Sequence, residues 1–312
     1  MSARELRLQR VIGAPRRTYA CLEGRQRKPS DYEITTTALL YYPTRGFEIE
    51  TPVSRHYQAQ QGGKLRCPDW DAFADPAQTT YSSYVAARRD QEALLDHLFG
   101  APAAPLSREL GPLVALVSAL RFPLHGLQMT SAYVGALAPG GRIAVASALQ
   151  AADELRRIQR LCQWLWRSGS TVQQLDQAGR ELWQSHQALQ PLRRVIERLL
   201  VTYGWEEALV ALNGVLKPTL EPLIVERLGA FAARHGAELL SQSLRSFASD
   251  AAWHGAWFEQ LERLLCDTEP GNVEVFAAVR RRLQPEVLDA CETMLTVLEI
   301  APNEGSELAD AI

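Results

Sequence analysis

The chain has 312 residues, of which 46% are hydrophobic and 22% charged, so it can bury a sizeable core and is not disordered overall. A net charge of −3 gives no global case for nucleic acid. Five scattered cysteines with no C-x-x-C pair exclude a disulfide framework and fit a reducing cytoplasm.

Charge is uneven along the chain. Met1–Lys28 carries eight bases (Arg4, Arg7, Arg10, Arg16, Arg17, Arg25, Arg27 and Lys28) against Glu5 and Glu23, a composition suited to docking on an acidic partner, a membrane or a nucleic acid, and equally to a solvated terminus. Residues 1–70 read as an extended N-terminal arm, punctuated by Tyr41-Tyr42-Pro43, Thr51-Pro52 and Gly62-Gly63. Ile34–Tyr42 is β-branched and aromatic enough to predict a short strand within it. An arm of this length is expected to wrap a partner. At Asp75-Pro76 the character changes, because Asp as N-cap before Pro at the first helical position signals a helix start.

From there the apolar spacing predicts helices over Pro76–Phe99, Leu106–Ala138, Arg142–Arg167 and Leu175–Tyr203, then Glu206–Lys217, Thr219–Arg234, Ala237–Cys266, Val273–Leu283 and Glu286–Ile300. Pro191 and Pro218 should break or kink the pattern. Phe122–Gly141 is long enough to span a membrane and carries no charge, yet Pro123, His125, Gln128, Thr130 and Ser131 favour a buried core helix. Residues 71–312 therefore read as one all-α domain of long helices, with no repeat and no membrane span. From Glu299 the tail carries four acids and no base.

The short catalytic motifs are missing. Gly62-Gly63-Lys64 fails the Walker pattern at Gln58 and Leu65, and His56 with Cys67 share only a loop. Long helices raise the question of a di-iron bundle, where Glu-x-x-His places both ligands on one helix face. Three residues before His56, His97, His125, His186, His235 and His254 stand Val53, Leu94, Phe122, Trp183, Ala232 and Ala251, and none is acidic. Two segments resemble broken Asp-Glu-x-x-His copies. Asp153–Arg157 keeps Glu154 but has Arg157 in the His position. Asp250–His254 keeps His254 but has Ala251 in the Glu position. Coincidence in a chain rich in Ala, Arg and Asp is the competing explanation.

Several stretches together resemble the β subunits of multicomponent di-iron monooxygenase hydroxylases acting on toluene, phenol and alkenes. They are Arg27-Lys28-Pro29-Ser30-Asp31-Tyr32-Glu33-Ile34, Trp70–Pro76 with Gln78, Tyr81 and Tyr84, and His125–Val134 with Ala138-Pro139. Trp205–Ala208, Leu212-Asn213, Lys217-Pro218 and Asp250 with His254 and Trp257 follow in order. The toluene branch fits best. The resemblance implies a ferritin-like, ribonucleotide-reductase-like helical fold without its own metal, catalytic or cofactor-binding residues. It makes Glu154, Arg157, Ala251 and His254 degenerate former metal-site positions, with the two further carboxylate equivalents near Leu124 and Lys217. It also implies an α2β2γ2 hydroxylase whose α subunit holds the di-iron centre. Electrons would come from NADH through an FAD and 2Fe-2S reductase and a Rieske ferredoxin, with a small effector protein as gate. Arg27, Lys28, Tyr32, Trp70, Phe73, Tyr81 and Tyr84 are the expected subunit contacts. Two readings compete with this one. One is a free-standing di-iron enzyme with atypical ligands such as Glu154, Glu206, Glu207 or His254. The other is a nucleic-acid binder working through the basic arm.

Overall fold

The computed structural model describes residues 30–39, 64–100 and 110–299. Among these, every regular element is helical, in line with the all-α expectation. The helices are α1 (Asp31–Leu39), α2 (Tyr81–Gly100), α3 (Gly111–Leu137), α4 (Gly141–Leu165) and α5 (Val172–Ser185). They continue as α6 (Gln190–Leu200), α7 (Trp205–Arg234), α8 (Glu238–Ser246), α9 (Ala248–Thr268) and α10 (Asn272–Leu295).

Local chemistry corrects the expectations made for the N-terminal arm. Asp31–Leu39 is a helix, not the start of a strand, because Ser30 and Glu33 form a reciprocal capping box. The Ser30 amide donates to Glu33 Oε2 at 2.9 Å and the Glu33 amide donates to Ser30 Oγ at 3.2 Å. The helix packs on α4 of its own chain. There the Arg142 guanidinium lies over the Tyr32 ring at 5.6 Å, and its Nε donates to Thr36 Oγ1 at 3.2 Å. Residues 64–70 also dock on their own helices. The Lys64 amide donates to Glu206 at 3.0 Å, and buried Asn272 takes both backbone groups of Arg66. The remainder of the arm, with Arg27, Lys28, Tyr41 and Tyr42, lies outside the described residues, as does the acidic tail beyond Glu299.

Asp75 does not start the next helix. Its carboxylate accepts from the amides of Ala77 and Thr79, closing a turn in which Gln78 adopts a φ of 49°. Helix α2 begins five residues after Pro76, at Tyr81, where Thr80 and Ser83 bond each other reciprocally.

The two proline expectations meet different outcomes. Pro191 sits in the first turn of α6, where its missing N–H leaves no bond unmade, so α5 and α6 separate as expected. Pro218 does not end α7. Two π-helical stretches, Leu212–Leu216 and Leu223–Leu228, flank it, and Arg280 Nε reaches the Gly214 carbonyl that Pro218 cannot pair, at 3.5 Å. Pro285 likewise lies inside the continuous α10, where two helices were expected. Conversely, the single helix expected over Ala237–Cys266 is interrupted at Phe247.

Helices α3 and α4 form a hairpin across three residues and pack along their length, and α5, α6 and α7 also pack on α3. Glycines allow two close crossings. A Cβ at Gly126 would stand 2.5 Å from Ile196 Cγ2, and one at Gly179 would stand 2.6 Å from the Ser118 carbonyl oxygen. Among the described residues the helix long and apolar enough to cross a membrane is α7, not Phe122–Gly141. Two thirds of its apolar window is packed inside the fold, as in a core helix.

Candidate functional site: a buried ionic cluster

The two broken motifs meet in the centre of the bundle. Helix α4 presents Asp153, Glu154, Arg156 and Arg157 inward, all at most 9% exposed, and α9 presents Asp250 and His254 from the facing side. Helix α7 adds Lys217 and Glu221, four residues apart and so on one face. Helix α2 adds Tyr84, Arg88 and Glu92 at the same spacing.

Every carboxylate in the cluster is held by a side-chain cation. Asp153 accepts from Arg88 Nε at 2.7 Å, from the Tyr84 hydroxyl at 2.8 Å and from His254 Nε2 at 3.1 Å. Asp250 is paired with Arg88 Nη1 at 2.8 Å and with Arg156 Nη2. Arg157 Nη1 lies 2.7 Å from Glu221 Oε1 and 3.3 Å from both oxygens of Glu154. The Lys217 ammonium bridges the same two carboxylates, at 2.6 Å from Glu221 and in contact with Glu154. The break at Phe247 matters here, since its carbonyl accepts from Arg157 Nη2 at 3.3 Å. Its ring also lies under the guanidinium groups of Arg156 and Arg157, at 5.4 and 5.5 Å.

The electrostatics follow from this pairing. Burial opposes ionisation of Asp153, but the bonds from His254 and Arg88 outweigh it and hold the carboxyl well below the usual range. Glu221 is also lowered despite its burial, by Lys217 first and then by His254 and Arg157. Burial, and next the nearby Asp153 charge, push Asp250 upward in spite of its arginines. The Tyr84 hydroxyl is raised by burial and by Asp153, so it remains a donor.

An acid prediction follows. Asp153 and Glu221 have depressed folded values, so they stabilise the chain above about pH 4, the unfolded carboxylate range, and that stability is lost as pH falls through their folded values. Asp250 acts in the opposite sense and offsets part of it. Thermal melts followed by circular dichroism should hold steady from pH 7 to about 5 and fall steeply below about 4. A melting temperature flat to pH 2 would contradict the assignment.

Of the expected former metal positions, Glu154, Arg157 and His254 come together. Ala251 is half-buried one turn earlier, and its backbone amide donates to Phe247. Glu154, Glu221 and His254 place one donor atom each within 4.8 Å of one another, all buried. A di-iron centre does not fit this set. It needs carboxylates free to bridge two cations, whereas an ammonium and a guanidinium already sit between Glu154 and Glu221. Lys217 and Leu124, the expected carboxylate equivalents, are both here, and neither can ligate as an acid. Leu124 lines a cavity of about 10 Å³ beside Arg157 and Glu221, room for one water and not for a hydrocarbon.

Glu206 and Glu207, weighed as atypical ligands, bond elsewhere, to the Lys64 amide and to Arg282. Glu221 and Arg88 escaped the motif search, whereas Asp250 was already part of the second broken motif. The signal for Glu221 was two charges, Lys217 and Glu221, one turn apart in an otherwise uncharged run from Leu212 to Ile224.

The expected contact residues divide. Tyr32 and Phe73 are 5% and 1% exposed within their own chain, so they have little surface left to give a partner. Trp70 is half-buried edge-on against Trp205 at 5.8 Å, and Tyr84 points its hydroxyl into the cluster. Tyr81 is 70% exposed.

Comparison with known proteins agrees with this geometry. A profile of the methane/phenol/alkene hydroxylase family matches residues 46–269. The chain is 31% identical, over 96% of both sequences, to the β subunit of the hydroxylase component of the toluene-4-monooxygenase system of Ectopseudomonas mendocina. It is 25% identical, over 80% of both, to the oxygenase component DmpL of phenol 2-monooxygenase from Pseudomonas sp. strain CF600. A chain of the toluene 4-monooxygenase hydroxylase, solved with toluene in its resting active site, superposes with a TM-score of 0.80 at 29% identity. That match covers 92% of this chain and 98% of the other. A chain of xenon-pressurised phenol hydroxylase from Pseudomonas sp. OX1 shares the fold, with a TM-score of 0.76 at 21% identity, covering 94% and 92%. The architecture is thus the ferritin-like helical bundle of these hydroxylases.

Proposed function

Because this chain belongs to the methane/phenol/alkene hydroxylase family, we propose that it is the non-catalytic β subunit of a cytoplasmic arene or alkene monooxygenase hydroxylase. In this reading a partner α subunit carries the di-iron centre at which one oxygen atom from O2 enters the hydrocarbon. This chain and a γ subunit complete an α2β2γ2 assembly. Electrons arrive from NADH through a flavin and iron–sulfur reductase and a ferredoxin, and an effector protein gates the reaction. One observation carries the non-catalytic role: the carboxylates of the bundle centre are paired with Arg88, Arg156, Arg157 and Lys217, which leaves no seat for a catalytic metal pair.

The work of the chain is then mechanical. A helical body locked by buried ion pairs supplies a rigid face against which α can bury apolar surface. Tyr81, exposed at the start of α2, and Arg27 and Lys28 in the basic arm are the contacts this reading favours.

Hydroxylase prepared from the other subunits without this chain should fail to reach its full assembly and lose hydrocarbon oxidation, with iron remaining on α. Size-exclusion chromatography, iron analysis and an oxygenation assay check this. Stoichiometric iron and turnover on this chain alone would overturn the proposal.

A further inference from the structure

The cluster retains more of a metal site than the proposed structural role requires. Asp153 accepts four bonds, and a carboxylate can only accept, so His254 Nε2 carries the proton it shares with Asp153 Oδ2. Its other nitrogen, Nδ1, is buried without a hydrogen-bond partner and faces Glu221 Oε1 at 3.8 Å. This is how a protein orients an imidazole ligand: a carboxylate fixes one ring nitrogen and aims the other at the cation. Glu154 and Glu221 supply the remaining donors, all three atoms lying within 4.8 Å of one another. Donors around one tetrahedral Zn2+ stand about 3.4 Å apart, so side-chain adjustments of roughly 1 Å would close the set.

The charges balance in the same way. Glu154 and Glu221 carry two negative charges, and Arg157 and Lys217 supply two positive ones in contact with both. A single divalent ion would supply that charge at one point.

We propose that Arg157 and Lys217 together stand in for one divalent cation, and that Glu154, Glu221 and His254 form a latent mononuclear site for a Zn2+-like ion that opens when both are neutralised. The inference rests on this chain's own side chains and not on its role as a subunit. It also differs from restoring the lost ligands by Arg157→His with Ala251→Glu, which leaves the Lys217 ammonium in place.

The test uses the full chain carrying Arg157→Leu and Lys217→Ala, titrated with Co2+ and read by visible absorption, by metal content after desalting, and by the melting temperature. The variant should take one Co2+ per chain and melt higher when loaded, while the wild-type chain takes none. In that background His254→Ala should abolish binding, and Asp153→Asn should weaken it by about 10- to 100-fold. A folded variant that takes no Co2+, binding that survives His254→Ala, or one Co2+ bound by the wild type would each overturn the proposal. Should the double variant fold only when Co2+ is present, the same stoichiometry supports it. Should it fold under neither condition, the better-packed double variant Arg157→Gln with Lys217→Met is titrated in its place. It should take one Co2+ per chain, and a folded form that takes none would overturn the inference.

Discussion

Arg157→Leu is expected to lower the unfolding free energy of the chain by about 3–5 kcal/mol, because it strands two buried carboxylates that have lost a shared partner. Arg157 is 2% exposed and pairs with Glu154, Glu221 and the Phe247 carbonyl. Removing the guanidinium leaves Lys217 alone to neutralise both acids. It also removes one of two donors to the Phe247 carbonyl, which keeps the Ala251 amide. Urea unfolding followed at 222 nm measures the loss. Adding Glu221→Gln should recover part of it, since one unpaired charge is then gone as well. The control is Arg180→Ala, whose bond to Asp176 lies between residues 55% and 40% exposed and should be worth no more than about 1 kcal/mol. Equal effects at the two positions would show that the centre is solvated in the native state.

Trp257→Ala should cost a similar amount, about 3–5 kcal/mol, for a different reason. The indole is fully buried, edge-on to Phe73 and to Phe258 at 6.4 Å each. Its Nε1 donates to Gln150 Oε1 at 3.1 Å, and Gln150 Nε2 in turn donates to Ser131 Oγ at 3.0 Å. Alanine leaves a cavity and an unpaired buried amide oxygen. Trp257→Phe keeps most of the packing and should lose only the bond, about 1–3 kcal/mol. Trp166, 72% exposed, should tolerate alanine with a change within about 0.5 kcal/mol. A Trp257→Ala variant as stable as Trp166→Ala would remove Trp257 from the core.

Periodicity alone gave the long helices, because a stripe of buried Leu, Val and Ala recurs every three to four residues whatever its neighbours are. It failed where a local bond outweighs the pattern. The Ser30–Glu33 box turns a β-branched segment into a helix, and the Asp75 carboxylate uses its capping capacity on a turn before α2 begins at Tyr81. Of the prolines, Pro191 fell at a helix break as expected, whereas Pro218 ends no helix. Pro218 and Pro285 are tolerated within helices, and at Pro218 two π stretches and Arg280 accommodate the missing donor.

For the site, the sequence by itself determined that no histidine has an acidic partner three residues before it, and that Glu154 and His254 survive in two incomplete motifs. Those are statements about one helix at a time, and spacing along a helix suffices for them. Only the tertiary structure decided what fills the space between the helices. Glu221 lies 64 residues from Arg157, and Asp250 lies 94 from Arg156, so no local pattern could join them. Arg157 and Lys217 stood out in the sequence at former ligand positions, but the carboxylates they pair with were set only once the fold removed water from around them. A buried charge must then find its partner across the bundle, because leaving it unpaired costs more than any propensity contributes.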